Sequence, residues 1–284
     1  MSNQNPIQWF PGHMTKAKRE MEQYLKLVDF VIEIRDARIP ISSKNPMLEQ
    51  MFKNKPHLIV LSKIDKANPE MTKQWVHQLE NNRVQVLALD LLHQNFKAQI
   101  SHAGKILCQP LIEKQKRRGI RPRPLRAMVC GIPNVGKSTF INTVAHKKAA
   151  QTANRPGVTK SLQWIRFNAD IELLDTPGVL WPKFDDEEIG LKLALLGAVR
   201  DEVVSIEDIA LYACDWMMKN CPEALTNYYQ IEIQSTPYET LLTIGRKRGM
   251  LQGNEVDEDR LMKSFVKDIR DAKCGRITWE FPND

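Results

Sequence analysis

Between a strand-like run and a helical pattern lies Gly131-Ile132-Pro133-Asn134-Val135-Gly136-Lys137-Ser138-Thr139, and this stretch constrains the fold more than any other. It fits GxxxxGK[ST] throughout, follows residues 127–131 (AMVCG), and opens a helical pattern from about Lys137. Glycines let successive backbone N–H groups wrap a phosphate chain, and a helix N-terminus adds positive potential there. Asn134, Val135, Gly136, Lys137, Ser138 and Thr139 would therefore line a nucleotide's phosphates. Lys137 would reach the β- and γ-phosphates, and Ser138 would ligate Mg²⁺.

Five more apolar runs have strand length: residues 28–34 (VDFVIEI), 57–61 (HLIVL), 84–89 (VQVLAL), 161–167 and 170–175. Helical patterns at 70–80 and 101–115 alternate with them, which predicts an α/β fold with a mostly parallel six-stranded sheet. After about Glu187 the strand signals nearly vanish. Residues 206–220, 223–230, 238–248 and 258–272 read as amphipathic helices, and 275–281 as extended. The expected organisation is an N-terminal arm and helix over 1–27, a nucleotide domain over 28–190 and a small helical domain over 200–284. A length of 284 residues suits this, at roughly 100–200 residues per domain.

Two further motifs narrow the nucleotide. Asp175-Thr176-Pro177-Gly178 follows a strand, thirty-eight positions after Lys137. Asp175 there can hold Mg²⁺ through water, while the Gly178 N–H faces the γ-phosphate. Ser62-Lys63-Ile64-Asp65, at another strand end, is close to the guanine-reading Asn-Lys-x-Asp pattern. Asp65 would accept from the base N1 and N2 donors and Lys63 would pack along it, which disfavours ATP. Each short motif taken singly reads as easily as a solvated loop. The three together, each after a strand, seldom arise by chance. Their order is inverted, because in ordinary small GTPases the phosphate motifs come first. The same sheet still forms if the chain is cut and rejoined, with 28–34, 57–61 and 84–89 as the last three strands of the usual order. The stretch 114–126, with seven basic residues, two prolines and a glycine, is suited to be the joining segment.

Composition excludes several classes. Hydrophobic residues at 42% and charged residues at 26% fit a globular core and exclude wholesale disorder or a collagen-like fibre. The apolar runs are too short to span a bilayer, so no membrane association is expected. The first residues hold no apolar signal core. Five scattered cysteines without a CxxC pair suggest a reducing, cytoplasmic setting rather than a disulfide framework or structural zinc. The net charge is +7. Basic clusters at 114–126, Lys147-Lys148 and Arg246-Lys247-Arg248, with Lys16, Lys18 and Arg19, are each commonly a solvated face, but together they point to RNA; DNA is not expected. Trp216, Tyr228, Tyr229 and Tyr238 are either base-stacking or core aromatics.

The permuted order, with WFPGHM (9–14), DARIP (36–40), GIPNVGKST, RPGVT (155–159) and DTPG, resembles the ribosome biogenesis GTPase A (RbgA/YlqF) family. The resemblance implies a circularly permuted Ras-like P-loop domain followed by a small helical RNA-binding domain. It implies a Mg²⁺-dependent GTPase acting in late maturation of the large (50S) ribosomal subunit. That subunit and its rRNA would be partners, stimulating turnover, and hydrolysis would release the enzyme. Thr159 then matches the switch threonine of the Mg²⁺ shell, and Asn134 the asparagine that holds a potassium ion, or else merely a loop-holding residue. Val179 stands where Ras-type enzymes carry a water-positioning Gln. His13 matches the family's proposed catalytic histidine, though a lone histidine in an arm is often only a surface residue. Two departures concern the base site: Ser62 replaces the usual Asn and is expected to bridge base and P-loop less well, and Ala88-Leu89-Asp90 lacks the serine expected near the guanine O6. The alternatives are a GTP-dependent RNA-binding latch with marginal hydrolysis, or a GTPase acting on another RNA or the small subunit.

Overall fold

The structure is a computed structural model that describes residues 19, 21–52, 55–120, 123–145, 163–175, 186–199 and 204–282. These fall into two compact units, one of residues 19–175 with 278–282, the other of residues 186–277.

In the first unit, the described residues form one six-stranded sheet from β1 (Phe30–Asp36), β2 (His57–Ser62), β3 (Val84–Ala88), β4 (Leu125–Cys130), β5 (Gln163–Arg166) and β6 (Ile171–Asp175). The spatial order is β3-β2-β1-β4-β6-β5. Every pair is parallel except the antiparallel hairpin β5–β6. This is the sheet that a permuted Ras-like chain requires, with the strands before the P-loop on one side and those after it on the other. The strands are apolar on both faces because helices cover both, as parallel sheets demand; all seven positions of β1 are buried. The chain reverses its direction of travel between β1 and β4. The carboxyl ends of the two strands flank the crevice where α/β sheets place ligands.

The helices of this unit are α1 (Pro46–Phe52), α2 (Pro69–Leu79), α3 (Lys97–Leu107), α4 (Gln109–Arg117) and α5 (Lys137–Ala145). Asn68 caps α2 by accepting from Glu70 N at 3.0 Å and Met71 N at 3.1 Å, with proline next at the first helical position. The single helix expected over 101–115 is two, broken at Cys108. A Cβ on Gly104 of α3 would stand 3.0 Å from the Phe30 ring, so the helix seats close on β1 only with glycine there. The joining segment is also shorter than 114–126: its first four residues are in α4, and Leu125 and Arg126 already belong to β4. Two of its arginines serve the fold. Arg123 clamps Asp29 at 2.8 and 2.9 Å, and the Arg126 guanidinium lies over the Trp164 ring at 5.0 Å.

Residues 21–25 are helical, and Met21 and Leu25 pack with Val31, Leu48, Phe52, Met128 and Leu174 on one face of the sheet. Alternation along β1 puts Glu33 and Arg35 on the same face as Val31. Arg35 Nη2 donates to Glu33 Oε2 at 2.6 Å. His57 Nε2 lies 3.1 Å from that oxygen. Burial by itself raises the Glu33 pKa, but Arg35 and then His57 outweigh it and hold it at about 2.

The second unit is built from α6 (Glu187–Leu195), α7 (Ile206–Asn220), α8 (Pro222–Tyr229), α9 (Pro237–Lys247) and α10 (Glu258–Arg270), with a small exposed hairpin, β7 (Leu251–Gln252) and β8 (Glu255–Val256), between the last two helices. Ser205, Thr236 and Asp257 cap α7, α9 and α10 from the side chain. α7 is central and buries Ile209, Ala210, Ala213, Cys214 and Met217. Arg248, counted with the basic cluster, remains exposed but donates to the buried Asp268 at 2.6 Å and lies 4.5 Å over the Tyr229 ring. Tyr229 is buried, its hydroxyl 3.3 Å from Asp268, which makes it one of the core aromatics. Tyr238 is the exposed member of the four. The segment 275–281 is extended but joins no strand. Residues 278–282, expected with the helical domain, pack instead on the sheet unit, because the main chain and side chains of 278–280 are hydrogen-bonded there.

The depressed Glu33 pKa dictates an acid dependence. A carboxyl lowered on folding contributes stability that is present above its ordinary value near 4.5 and is lost as the pH falls toward 2. Urea unfolding between pH 7 and pH 3 should show this loss. Glu33→Gln should flatten it while costing roughly 3–5 kcal/mol at pH 7, because Arg35 is left buried without its anion.

Candidate functional site

The carboxyl ends of β1, β2, β4 and β6 lie on one edge of the sheet and bring the motifs together. The turn after β4 passes so close to β1 that a Cβ on Gly131 would stand 2.7 Å from the Ile34 carbonyl oxygen. Gly136 has φ 96° and sits against Leu91, and Asn134 takes the left-handed conformation at φ 61°, which asparagine tolerates better than most residues. Val135 is buried and anchors the turn, while Asn134 is exposed. α5 then starts at Lys137, with Phe140 N donating to Gly136 O at 2.9 Å. Ser138 and Thr139 are part-buried in its first turn. The result is a strand, a glycine turn and a helix N-terminus in sequence, the geometry of an anion cradle.

Lys137 Nζ lies 2.6 Å from Asp175 Oδ1, and both side chains are more than nine-tenths buried. Two residues thirty-eight apart in sequence are thus joined by the parallel pairing of β4 with β6. The ammonium and carboxylate compensate each other in a site where either charge by itself would be costly. An arriving phosphate has to share or replace that carboxylate as the partner of Lys137. The donor set also fits a hard divalent cation: the Ser138 hydroxyl and the Asp175 carboxylate are oxygen ligands, and Asp175 already faces a positive charge.

The base-side motif adjoins the P-loop. Ser62 is fully buried, its hydroxyl oxygen 2.9 Å from Arg35 O and 2.5 Å from Val135 O. Its single proton ties β2 to β1 and to the P-loop backbone. Of the bridge to base and P-loop that serine is expected to make less well, the P-loop half is made. The sheet brings Ser62 so near Gly136 that a short side chain suffices, though one buried this way does not face a base. Lys63 takes the left-handed conformation at φ 56° and sets Nζ 3.0 Å from Asp36 Oδ2. Asp36 in turn accepts from Arg38 N at 3.0 Å, Nε at 3.0 Å and Nη2 at 2.8 Å. Burial opposes ionisation of Asp36, but Arg38 and then Lys63 hold its carboxyl far below the usual range. Burial lowers the Lys63 pKa, with Asp36 opposing. Asp65 is exposed, and its carboxylate has no hydrogen bond or ion pair among the described residues, so its acceptors point to solvent.

The loop after β3 completes this side. Leu89 N donates to Leu61 O at 2.9 Å, and Leu91 O accepts from Thr143 Oγ1 of α5 at 3.1 Å. Asp90 closes its own turn by accepting from Leu92 N and His93 N at 3.0 and 3.1 Å. His13, Thr159, Gly178 and Val179 lie outside the described residues. Asp36 and Arg38 were legible only as part of a family string. The signal that could have marked them is two opposite charges, two residues apart, at the end of an apolar strand.

Comparison with known proteins matches this arrangement. The family of 50S ribosome-binding GTPases matches residues 126–244, from the first strand before the P-loop onward. Ribosome biogenesis GTPase A of Bacillus licheniformis is 45% identical over 280 residues, covering 98% of this chain and 99% of that protein. The Thermotoga maritima protein of the same name is 31% identical over 282 residues, again covering 98% of this chain. A crystal structure of GNP-bound YlqF from T. maritima aligns over 95% of this chain and 99% of its own, at 28% identity and a TM-score of 0.64. Near-complete, mutual coverage at this identity, on a sheet whose strand order requires the same permutation, shows that the chain belongs to the ribosome biogenesis GTPase A family.

Proposed function

We propose that this protein, a GTPase of ribosome assembly by family, acts in late maturation of the large (50S) subunit and leaves it when GTP is hydrolysed. The observation that carries the GTP reading is the convergence of residues 62–65 with the P-loop at one sheet edge, where Ser62 touches Val135 and Lys137 meets Asp175. The large subunit is favoured by the description of the matching family as 50S ribosome-binding.

In this reading Lys137 and the α5 N-terminus offset the phosphate charge, and Asp65 reads the guanine N1 and N2 donors with Lys63 packed along the base. Ser138, Asp175 and Thr159 would hold Mg²⁺, which supplies neutralisation of the β- and γ-phosphate oxygens when bound. Gly178 would face the γ-phosphate. Asn134, exposed on the P-loop, would hold a potassium ion there. His13 would orient the attacking water in place of the Gln that Val179 replaces. Rotating into a productive arrangement only on the subunit, such an arm gives slow intrinsic turnover and activation by the partner. The rRNA contact would use exposed charge: Arg246, Lys247 and Arg248 are all exposed, and of the three Arg248 is already paired with Asp268.

GTP turnover measured with and without purified large subunits, in potassium buffer, tests the reading. Stimulation of roughly tenfold or more is expected, reduced when sodium replaces potassium and abolished in His13→Ala. Intact GTP binding without stimulation would leave the latch as the better account. A second outcome separates surface from interior charge. Reversing Arg246 and Lys247 to Glu should weaken co-sedimentation with the subunit and lower its salt dependence, at unchanged melting temperature. Asp268→Asn should instead lower the melting temperature, at a cost of about 2 kcal/mol or more, by removing the buried partner of Arg248 and Lys273.

A further inference from the structure

Besides its buried Ala67, polar contacts hold the base-reading loop, residues 62–68, to the rest of the fold. Ser62 binds the P-loop backbone at its start. Lys63 is drawn to Asp36 beside it. At its end, Asn68 N donates to Thr278 Oγ1 at 3.1 Å, more than two hundred residues away in sequence. Asp65 has an exposed, unbonded carboxylate among the described residues, so its position is set by its neighbours in the loop: by these anchors, by Ala67 in the core and Ile64 packed against it, and by the turn that Lys66 N closes on Lys63 O at 2.9 Å.

The segment that supplies Thr278 also holds the second loop of the site. Trp279 N donates to Arg38 O at 2.8 Å. The Glu280 carboxylate accepts from Ile41 N at 2.6 Å and Ser42 N at 2.8 Å, and the Glu280 carbonyl accepts from Trp75 Nε1 of α2 at 3.3 Å. Thr278, Trp279 and Glu280 are all buried. The loop at 37–43 is the one that aims Asp36 at Lys63, through Arg38 on the carboxylate and Ser43 Oγ accepting from Asp36 N at 3.1 Å. Residues 278–280 therefore pin both loops that frame Asp65. A carboxylate is suited to this, because two adjacent N–H groups of an otherwise irregular loop are satisfied at once by charge-assisted bonds.

We propose that residues 278–280 form a strap that positions the guanine-reading loop, with Thr278 and Glu280 as specificity-determining positioning residues. This rests on the reading of Asp65 as the base acceptor. Loosening the strap shifts Asp65 relative to the base but leaves the P-loop unaltered, so the loss falls on recognition of the N1 and 2-amino donors and not on the phosphates. Inosine diphosphate keeps the phosphates and the N1 donor but lacks that amino group, which makes it the discriminating probe.

The test compares GDP and IDP affinities of the full-length protein and its variants by calorimetry, with melting temperatures recorded for each. Thr278→Val removes the acceptor at nearly constant shape, Thr278→Ser restores it, and Glu280→Gln turns one acceptor into an amide that confronts an N–H. The GDP preference over IDP should fall about five- to tenfold in Thr278→Val and Glu280→Gln, with IDP affinity falling less than GDP affinity because IDP loses only the N1 contact, and Thr278→Ser should resemble the parent protein. An unchanged preference in folded Thr278→Val overturns the strap, even if Glu280→Gln proves too unstable to measure. Asp65→Asn, which offers a donor where guanine needs an acceptor, is the control and should favour XDP over GDP. If it does, failure of the strap variants counts against the strap only. If it does not, the base reading itself falls and takes the strap with it.

Discussion

The parallel pairing of β1 with β4 is the contact on which the rest of the sheet unit depends. Its register sets Ile32 opposite Val129 and Glu33 opposite Cys130, so β4 ends at Cys130 while β1 continues to Asp36, and Gly131 turns directly over the Ile34 carbonyl. That pairing joins a strand from before the joining segment to one from after it. Without it the base-side motif and the P-loop belong to separate halves of the chain. With it, Ser62 comes within reach of Val135 across 73 positions of sequence. Nothing in a covalent cut-and-rejoin disturbs this, because a sheet is held by register and burial and not by the order in which its strands are made.

Charge inside the unit follows the same edge. Lys137 with Asp175, and Lys63 and Arg38 with Asp36, are buried pairs at the ends of β6 and β1. Such pairs add little net stability relative to apolar replacements, but breaking one partner leaves a costly orphan charge. Their consequence is orientation. Asp36 accepts from one arginine in three places and faces a lysine, so few other arrangements of the 36–43 loop satisfy it. The proposed base reader Asp65 stays exposed among these fixed neighbours, which is where an acceptor for an incoming ligand has to be.

The helical unit uses the same device for a different end. The buried Asp268 gathers Arg248, Lys273 and Tyr229, which ties up the Arg248 guanidinium and places Tyr229 in the core. A sequence run such as Arg246-Lys247-Arg248 carries no sign of which member is ion-paired, because adjacent helical residues differ by about 100° in direction and the partner lies twenty residues on. The same limit explains the misplaced tail. Residues 278–282 follow a helical unit in sequence, and their hydrogen bonds run to partners near 38–42 and 68 that no local pattern announces.

What the sequence determined by itself was whatever depends on local periodicity and fixed spacing. The buried strands, the P-loop between a strand and a helix, the inverted motif order and hence the permuted sheet all follow from residue patterns a few positions long. Tertiary structure decided what depends on distance across the fold. It brought Ser62 to the P-loop backbone, and made Asp36 and Arg38 the supports of Lys63. It also brought Thr278 and Glu280 back to the edge where the nucleotide motifs meet. The physical reason is that side-chain hydrogen bonds and ion pairs act over about 3 Å in space, and separation along the chain says nothing about which groups the sheet will bring that close.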